Sequence, residues 1–184
     1  MHSERLDQVV VEAGRLCAAE VLLLAIAGQG TEQAYLAALA REVGCADRVH
    51  FLGELAPDRV AIMLSALDVF VFPSLAETFG LAVVEAAHAG VPVVANRLAV
   101  LEEVLSPDGE PCVLFADAGD PSAFATAVRR LLEDKALAAI LSTRAAKLNS
   151  YYSQETMVAA YAALIESEVN GKVSSRQPLR SGAM

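Results

Sequence analysis

Tryptophan is missing altogether, and Phe and Tyr bring the aromatic share to only 5%. So little aromatic surface excludes a core built on stacked rings and leaves an interior of small aliphatic side chains, in a chain that is 55% hydrophobic. Strands rich in alanine and valine, covered by helices, suit that composition. Cysteine is scarce too. Cys17, Cys45 and Cys112 form an odd set without CxxC or the His/Cys spacing of a metal site, which excludes a disulfide framework and a structural zinc. Long hydrophobic runs are absent: unbroken apolar stretches such as Val21 to Ala27 fall far short of the ~20 residues that span a bilayer. No basic, apolar and small-residue signal opens the chain, so a cytoplasmic protein is expected, the inner membrane face included. Positive charge is in deficit, with 14 Lys and Arg against 23 Asp and Glu and a net charge of −9. That balance excludes a general nucleic-acid surface, and an anionic ligand must be held by local donors.

What is there alternates. Residues 4 to 18 place Leu6, Val9, Val10, Ala13, Leu16 and Cys17 at helical spacing, and the run Val21 to Ala27 then reads as a buried strand. Thr31 to Val43 reads as a helix with Thr31 as its N-cap and Gly44 as its stop, followed by a strand from Arg48 to Leu52. Pro57 opens a helix to Ala66, and Asp68 to Phe72 is a strand stopped by Pro73. Leu81 to Ala89 and Val91 to Ala95 repeat the unit, and after a helical turn near 100 to 105, Cys112 to Phe115 is the last strand. Helical stretches at 121 to 133, 135 to 149 and 154 to 168 follow. Helices alternating with near-continuous apolar strands predict an α/β fold with a doubly wound parallel sheet. At 184 residues one Rossmann-like lobe over 1–168 is expected, with 169–184 as a disordered tail rich in Ser, Arg, Gly and Pro.

The segment Pro73-Ser74-Leu75-Ala76-Glu77-Thr78-Phe79-Gly80-Leu81 stands out. It leaves an apolar strand and enters a helix, with Glu77 before the helix start and Glu85 in its second turn. The spacing alone proves little, because Glu4/Glu12, Glu12/Glu20 and Glu102/Glu110 share it. The context carries the signal. Backbone N–H groups of Phe79, Gly80 and Leu81 at a helix start can bind phosphate oxygens, favoured by the helix dipole, and Gly80 permits close approach. A carboxylate on either side can accept hydrogen bonds from vicinal hydroxyls of a sugar and a ribose. Gly28-Gln29-Gly30 after one strand and Gly53-Glu54-Leu55 after another lie at the carboxyl ends, where open parallel sheets bind ligands. Gln33 stands where the third glycine of a dinucleotide fingerprint belongs, so a tight turn is an equal reading of 28–30. Arg97 reads as a surface arginine and His88 as a neighbour of the Glu85 face.

Four blocks in order resemble a known family: Ala27-Gly28-Gln29-Gly30-Thr31-Glu32; Asp47-Arg48-Val49-His50-Phe51-Leu52-Gly53; Ala66-Leu67-Asp68-Val69-Phe70-Val71-Phe72-Pro73-Ser74; and Glu77 through Glu85 to Gly90-Val91-Pro92-Val93-Val94-Ala95. From Glu4 to Glu168 the chain resembles the C-terminal, donor-binding lobe of group 1 (family 4) retaining glycosyltransferases of the GT-B fold. The resemblance implies sugar transfer, with retention, from a nucleoside-diphosphate sugar to an acceptor bound by a separate N-terminal lobe. It places Glu77 as the catalytic carboxylate at the donor sugar and Glu85 on the ribose. Thr78, Phe79, Gly80 and Leu81 fall at the phosphates, and Gly28, Gly30, Gly53 and Leu55 around the donor. It implies no metal and no cofactor, the nucleotide sugar being a substrate. Two other readings stay open from the residues: a nucleotide-sugar epimerase of similar architecture, and a non-catalytic nucleotide-binding or interaction lobe.

Some of the family's pattern is missing. An Arg and a Lys after the first strand would neutralise the departing diphosphate, yet the lysines here are Lys135, Lys147 and Lys172, all downstream. The first element legible in the sequence is the helix at 4 to 18, so the expected lobe lacks its first, central strand. An unfilled slot would leave two rows of backbone groups unpaired, each costing about 1 to 3 kcal/mol when buried. The sequence thus predicts that strand 21–27 closes directly on strand 68–72. The order would be 48–52, 21–27, 68–72, 91–95, 112–115, unless another polypeptide donates the strand.

Overall fold

In a computed structural model, which describes Val11 and residues 22–169, the apolar runs become parallel strands shorter than the runs themselves. The helix expected over 4 to 18 and the tail over 169 to 184 lie outside the described residues, apart from Val11 and Val169. Strands β1 (Leu24–Ala27), β2 (Val49–Gly53), β3 (Phe70–Phe72), β4 (Val93–Asn96) and β5 (Leu114–Ala116) alternate with helices in the expected order. The helices are α1 (Gln33–Glu42), α2 (Pro57–Ser65), α3 (Leu81–His88), α4 (Ala99–Val104), α5 (Pro121–Glu133), α6 (Lys135–Ala145), α7 (Leu148–Tyr152) and α8 (Gln154–Val169).

Local chemistry explains the boundaries. Gly44 ends α1 in the left-handed conformation at φ 74°; its N–H donates to Arg41 O at 3.2 Å and that of Cys45 to Ala40 O at 2.9 Å, the paired bonds of a Schellman cap. The start of α1 corrects the expectation. Glu32, in helical conformation and without a side-chain cap, precedes the helix, and the Thr31 hydroxyl turns to the Glu32 carboxylate instead. Caps of the expected chemistry occur at α5 and α6. Asp120 accepts from the N–H groups of Ser122 and Ala123, with Pro121 at the first helical position, and Asp134 accepts from Leu137 N–H.

Strands β3, β4 and β5 form one parallel sheet with Phe70, Val71 and Phe72 opposite Val93, Val94 and Ala95. Period-two alternation sends Val93 and Ala95 to a core with Val83, Ala86 and Ala87 of α3 and Leu101 of α4, where Phe70, Phe72 and Phe115 also pack. It sends Val94 to the other face, with Phe124 and Leu131 of α5 and Leu141 of α6. Every residue of β4 is buried, and full burial of a valine such as Val93 or Val94 is worth about 1.5 to 3 kcal/mol of apolar transfer. Strands β1 and β2 form a second parallel sheet. Leu24, Ile26, Val49 and Phe51 face Leu36 and Ala40 of α1, whereas Ala25, Ala27, His50 and Leu52 on the other face are exposed.

The expected ladder between segments 21–27 and 68–72 is not made: among the described residues β1 pairs with β2 and β3 with β4, in separate sheets. Packing accounts for this. The core under β1 and β2 shares no residue with the two cores around β3, β4 and β5. A direct ladder needs backbones ~4.8 Å apart, and here each strand pair rests on a core of its own. Within each sheet the expected neighbours hold.

The chain divides into two compact units after Leu148. In the second, the Ser153 hydroxyl accepts Thr156 N–H at the start of α8, and Met157, Val158, Tyr161, Leu164 and Ile165 form an exposed apolar stripe at helical spacing. No helix among the described residues is long and apolar enough to cross a membrane.

Candidate functional site

Two groups of predicted site residues occupy the carboxyl ends of the strands, each on its own sheet. Gly28 and Gly53 come together at the ends of β1 and β2, where Gly28 N–H donates to Gly53 O at 2.7 Å. Both have positive φ, 117° and 68°. A register shift after Ile26 sets Ala27 opposite Gly53 and skips Leu52, so the strand pair ends in a bulge. A Cβ added at Gly28, Gly30 or Gly53 would meet nothing within 4 Å. The two turns therefore present bare backbone. Leu55, half-buried, follows.

The second group is continuous. Glu77 is half-buried in the loop between β3 and α3, Thr78 is exposed, Phe79 is half-buried, and Gly80 is the N-cap of α3. Gly80 is left-handed at φ 82° and its carbonyl accepts the N–H groups of Val83 and Val84, each at 3.1 Å. No side chain caps this helix start. The N–H groups of Leu81 and Ala82 thus point along the axis from the positive end of the dipole. Gly80 also lies against the core, for a Cβ there would be 2.6 Å from Leu101 Cδ2. Glu85 follows Leu81 by one turn on the same exposed face, while Val83, Val84, Ala86 and Ala87 turn inward. Residues 77 to 85 thus unite two carboxylates and an uncapped helix start. A diphosphate at the helix start, flanked by hydroxyl-bearing rings, is the ligand this arrangement suits.

The lesser candidates separate from both groups. Arg97 is exposed, pairs with Glu102, and sits over the Phe115 ring at 5.5 Å. It lines an open cleft of about 280 Å³ with Leu114, Leu141 and Arg144, which contains none of the predicted site residues. Its charges are matched, since Arg144 pairs with Glu110 at 3.0 Å. His88 points its Nε2 inward, buried and without a hydrogen-bond partner, so it does not share the outward direction of Glu85. Among the described residues no group of His, Cys, Asp or Glu is arranged to hold a metal ion.

Sequence reading missed Asn96, the last residue of β4. It is 5% exposed, its Nδ2 donates to Ser74 O at 2.8 Å, and its Oδ1 accepts Ala118 N–H at 3.0 Å. Ser74, 4% exposed, in turn donates its hydroxyl to Ala76 O at 3.1 Å. One signal could have found it. A polar residue closing an otherwise apolar buried strand needs partners, and these lie at the neighbouring strand ends.

The family described as glycosyl transferases group 1 matches residues 2–148 of the chain. A D-inositol 3-phosphate glycosyltransferase of Acidothermus cellulolyticus is 40% identical over 105 residues, 57% of this chain and 23% of that protein. A glycogen synthase of Mycobacterium tuberculosis is 36% identical over 157 residues, 84% of this chain and 36% of that protein. Among solved structures, Anabaena HepE in complex with UDP and glucose superposes with a TM-score of 0.75 at 23% identity, covering 87% of this chain and 44% of that one. The chain spans about a quarter to a third of the length of these two relatives.

Proposed function

The chain belongs to the group 1 glycosyl transferases, and on that premise we propose that its first unit is the donor-binding lobe of a retaining glycosyltransferase that uses a nucleoside-diphosphate sugar. The uncapped start of α3 between Glu77 and Glu85 carries this reading. The diphosphate lies at the Leu81 and Ala82 amides, Glu85 accepts the ribose hydroxyls and Glu77 meets the transferred sugar. Thr78 and Phe79 line the phosphates, and Gly28, Gly30, Gly53 and Leu55 supply the backbone wall on the other sheet. In the transfer the anomeric carbon–oxygen bond to the diphosphate breaks and the leaving group takes the electron pair. The acceptor oxygen bonds to the same carbon, and its proton passes to the departing phosphate. An acceptor-binding half completes the reaction, in keeping with the greater length of the relatives. The fold shared with HepE, which was crystallised with UDP and glucose, makes uridine diphosphate the first nucleotide to test.

Calorimetric titration of the chain with UDP and with UDP-glucose is the direct test. Glu85→Ala should weaken both by about 1.5 to 3 kcal/mol, the worth of charge-assisted hydrogen bonds to the ribose. Glu77→Ala should weaken the sugar nucleotide more than UDP. Equal affinities in wild type and Glu85→Ala would remove the ribose assignment, and the opposite ranking for Glu77→Ala would remove its place at the sugar.

A further inference from the structure

Glu77 sits in a loop, and the start of α3 lies at that loop's end, so the donor site is only as well placed as the chain from 73 to 80. A single side chain ties the beginning of this stretch to the sheet. Asn96 at the carboxyl end of β4 spends both ends of its carboxamide on backbone: Nδ2 on Ser74 O at 2.8 Å, after β3, and Oδ1 on Ala118 N–H at 3.0 Å, after β5. Three adjacent strand ends are thereby cross-linked by one buried residue. The partners differ in kind, one carbonyl and one N–H, and among uncharged side chains an amide of this length offers a donor and an acceptor on opposite atoms. Above the clamp, the Ser74 hydroxyl bonds Ala76 O at 3.1 Å, continuing the tie toward Glu77. At the far end Gly80 is held by its contact with Leu101. The loop is therefore pinned at both ends, by hydrogen bonds at Ser74 and by packing at Gly80.

We propose that Asn96 is a positioning residue for the donor site, fixing through Ser74 the loop that carries Glu77 and leads into the phosphate-binding start of α3. Its consequence for nucleotide binding rests on the donor-site reading above; its consequence for loop order does not. Asn96→Ala removes both bonds, while Asn96→Asp keeps the shape and the acceptor but turns a carboxylate toward Ser74 O. When protonated, that Asp can donate as the amide does, and burial favours the protonated form.

Amide hydrogen exchange and UDP titration on the whole chain test this. In Asn96→Ala the amides of 75 to 80 should exchange at least about tenfold faster while those of α5 keep wild-type rates, as expected of a local opening. UDP affinity should fall by about tenfold. In Asn96→Asp the loss relative to wild type at the same pH should shrink as pH falls from 8 to 5. Arg97 and Asp117, which flank the clamp, and Glu102, which pairs with Arg97, are common to both proteins, so the ratio isolates residue 96. A merely structural role would speed exchange throughout the sheet and in α5 as well as at 75 to 80. Unchanged exchange at 75 to 80 in both variants would overturn the proposal, as would failure of both to fold at every pH. A wild-type chain that binds no UDP would remove the proposed function and leave exchange at 75 to 80 to decide on the clamp.

Discussion

The two sheets of this lobe treat the same kind of sequence differently. Val93-Val94-Ala95-Asn96 and Leu24-Ala25-Ile26-Ala27 are both nearly unbroken apolar strands, yet all four residues of the first are buried, while the second alternates half-buried and exposed. The difference is coverage. Helices α3 and α4 pack on one face of β4 and α5 and α6 on the other, whereas among the described residues β1 and β2 have α1 on one face only. Parallel strands are ordinarily buried on both faces, so a continuous apolar run states what a strand is able to bury and not what covers it. The proposed site divides along the same line. Glu77, Gly80 and Glu85 belong to the doubly covered sheet, and the bare glycine turns at 28–30 and 53–55 to the singly covered one.

The largest contrast expected is in core energetics. Leu101 is fully buried beneath Gly80, and Leu52 of β2 is 41% exposed. Leu101→Ala should cost about 2 to 5 kcal/mol, Leu52→Ala under about 1 kcal/mol. Urea unfolding of the two variants measures both, and equal losses would erase the distinction between the sheets.

A smaller contrast separates two glycines that share a backbone conformation. Gly80 and Gly53 have φ of 82° and 68°, so alanine at either position carries the left-handed penalty of about 1 to 2 kcal/mol. At Gly53 nothing lies within 4 Å of the added carbon, but at Gly80 Leu101 Cδ2 would be 2.6 Å away. Overpacking should add about 1 to 3 kcal/mol there. Thermal unfolding of Gly80→Ala and Gly53→Ala gives the difference directly. If the two lose the same stability, the close packing beneath the α3 start has no energetic consequence.

How much of this was legible in the sequence follows from the range of the interactions. Pro57 at a helix start and Gly44 at a helix end act within a few residues, and both read correctly. So did the strand-loop-helix around Glu77, because a proline stop, a left-handed glycine and an apolar helix face follow in sequence. Thr31 failed as a cap because the helix began one residue later and its hydroxyl turned to Glu32. The same short-range rule succeeded at Asp120 and Asp134, where the carboxylates reach backbone N–H groups. Asn96 was invisible for another reason: its partners, Ser74 and Ala118, are each 22 residues away, and only the sheet brings them together. The absent ladder between β1 and β3 is likewise a long-range matter, the two strands resting on separate cores. The strands' periodicity carries no such information.

Two cysteines report on the two sheets from within and give the last test. Cys45 is 1% exposed in the core under β1 and β2, and Cys112 is 2% exposed in the core beside β4 and β5. Burial pushes the Cys112 thiol up to about 11, partly offset by a backbone hydrogen bond. At pH 8 it therefore stays protonated in the closed protein, and a thiol reagent reacts after the core has opened. A sheet covered on one face should open at lower free energy than one covered on both. In a Cys17→Ser background, with a large excess of reagent and no denaturant, Cys45 should be labelled about tenfold faster than Cys112, a difference in opening of ~1.4 kcal/mol. Site-resolved mass spectrometry of peptides containing each cysteine reads the two rates in one sample. Leu101→Ala should then speed Cys112, whose core contains that leucine, and leave Cys45 unchanged. Equal rates in the parent chain, or parallel acceleration of both thiols in the variant, would show that the sheets open as one cooperative body despite their separate cores.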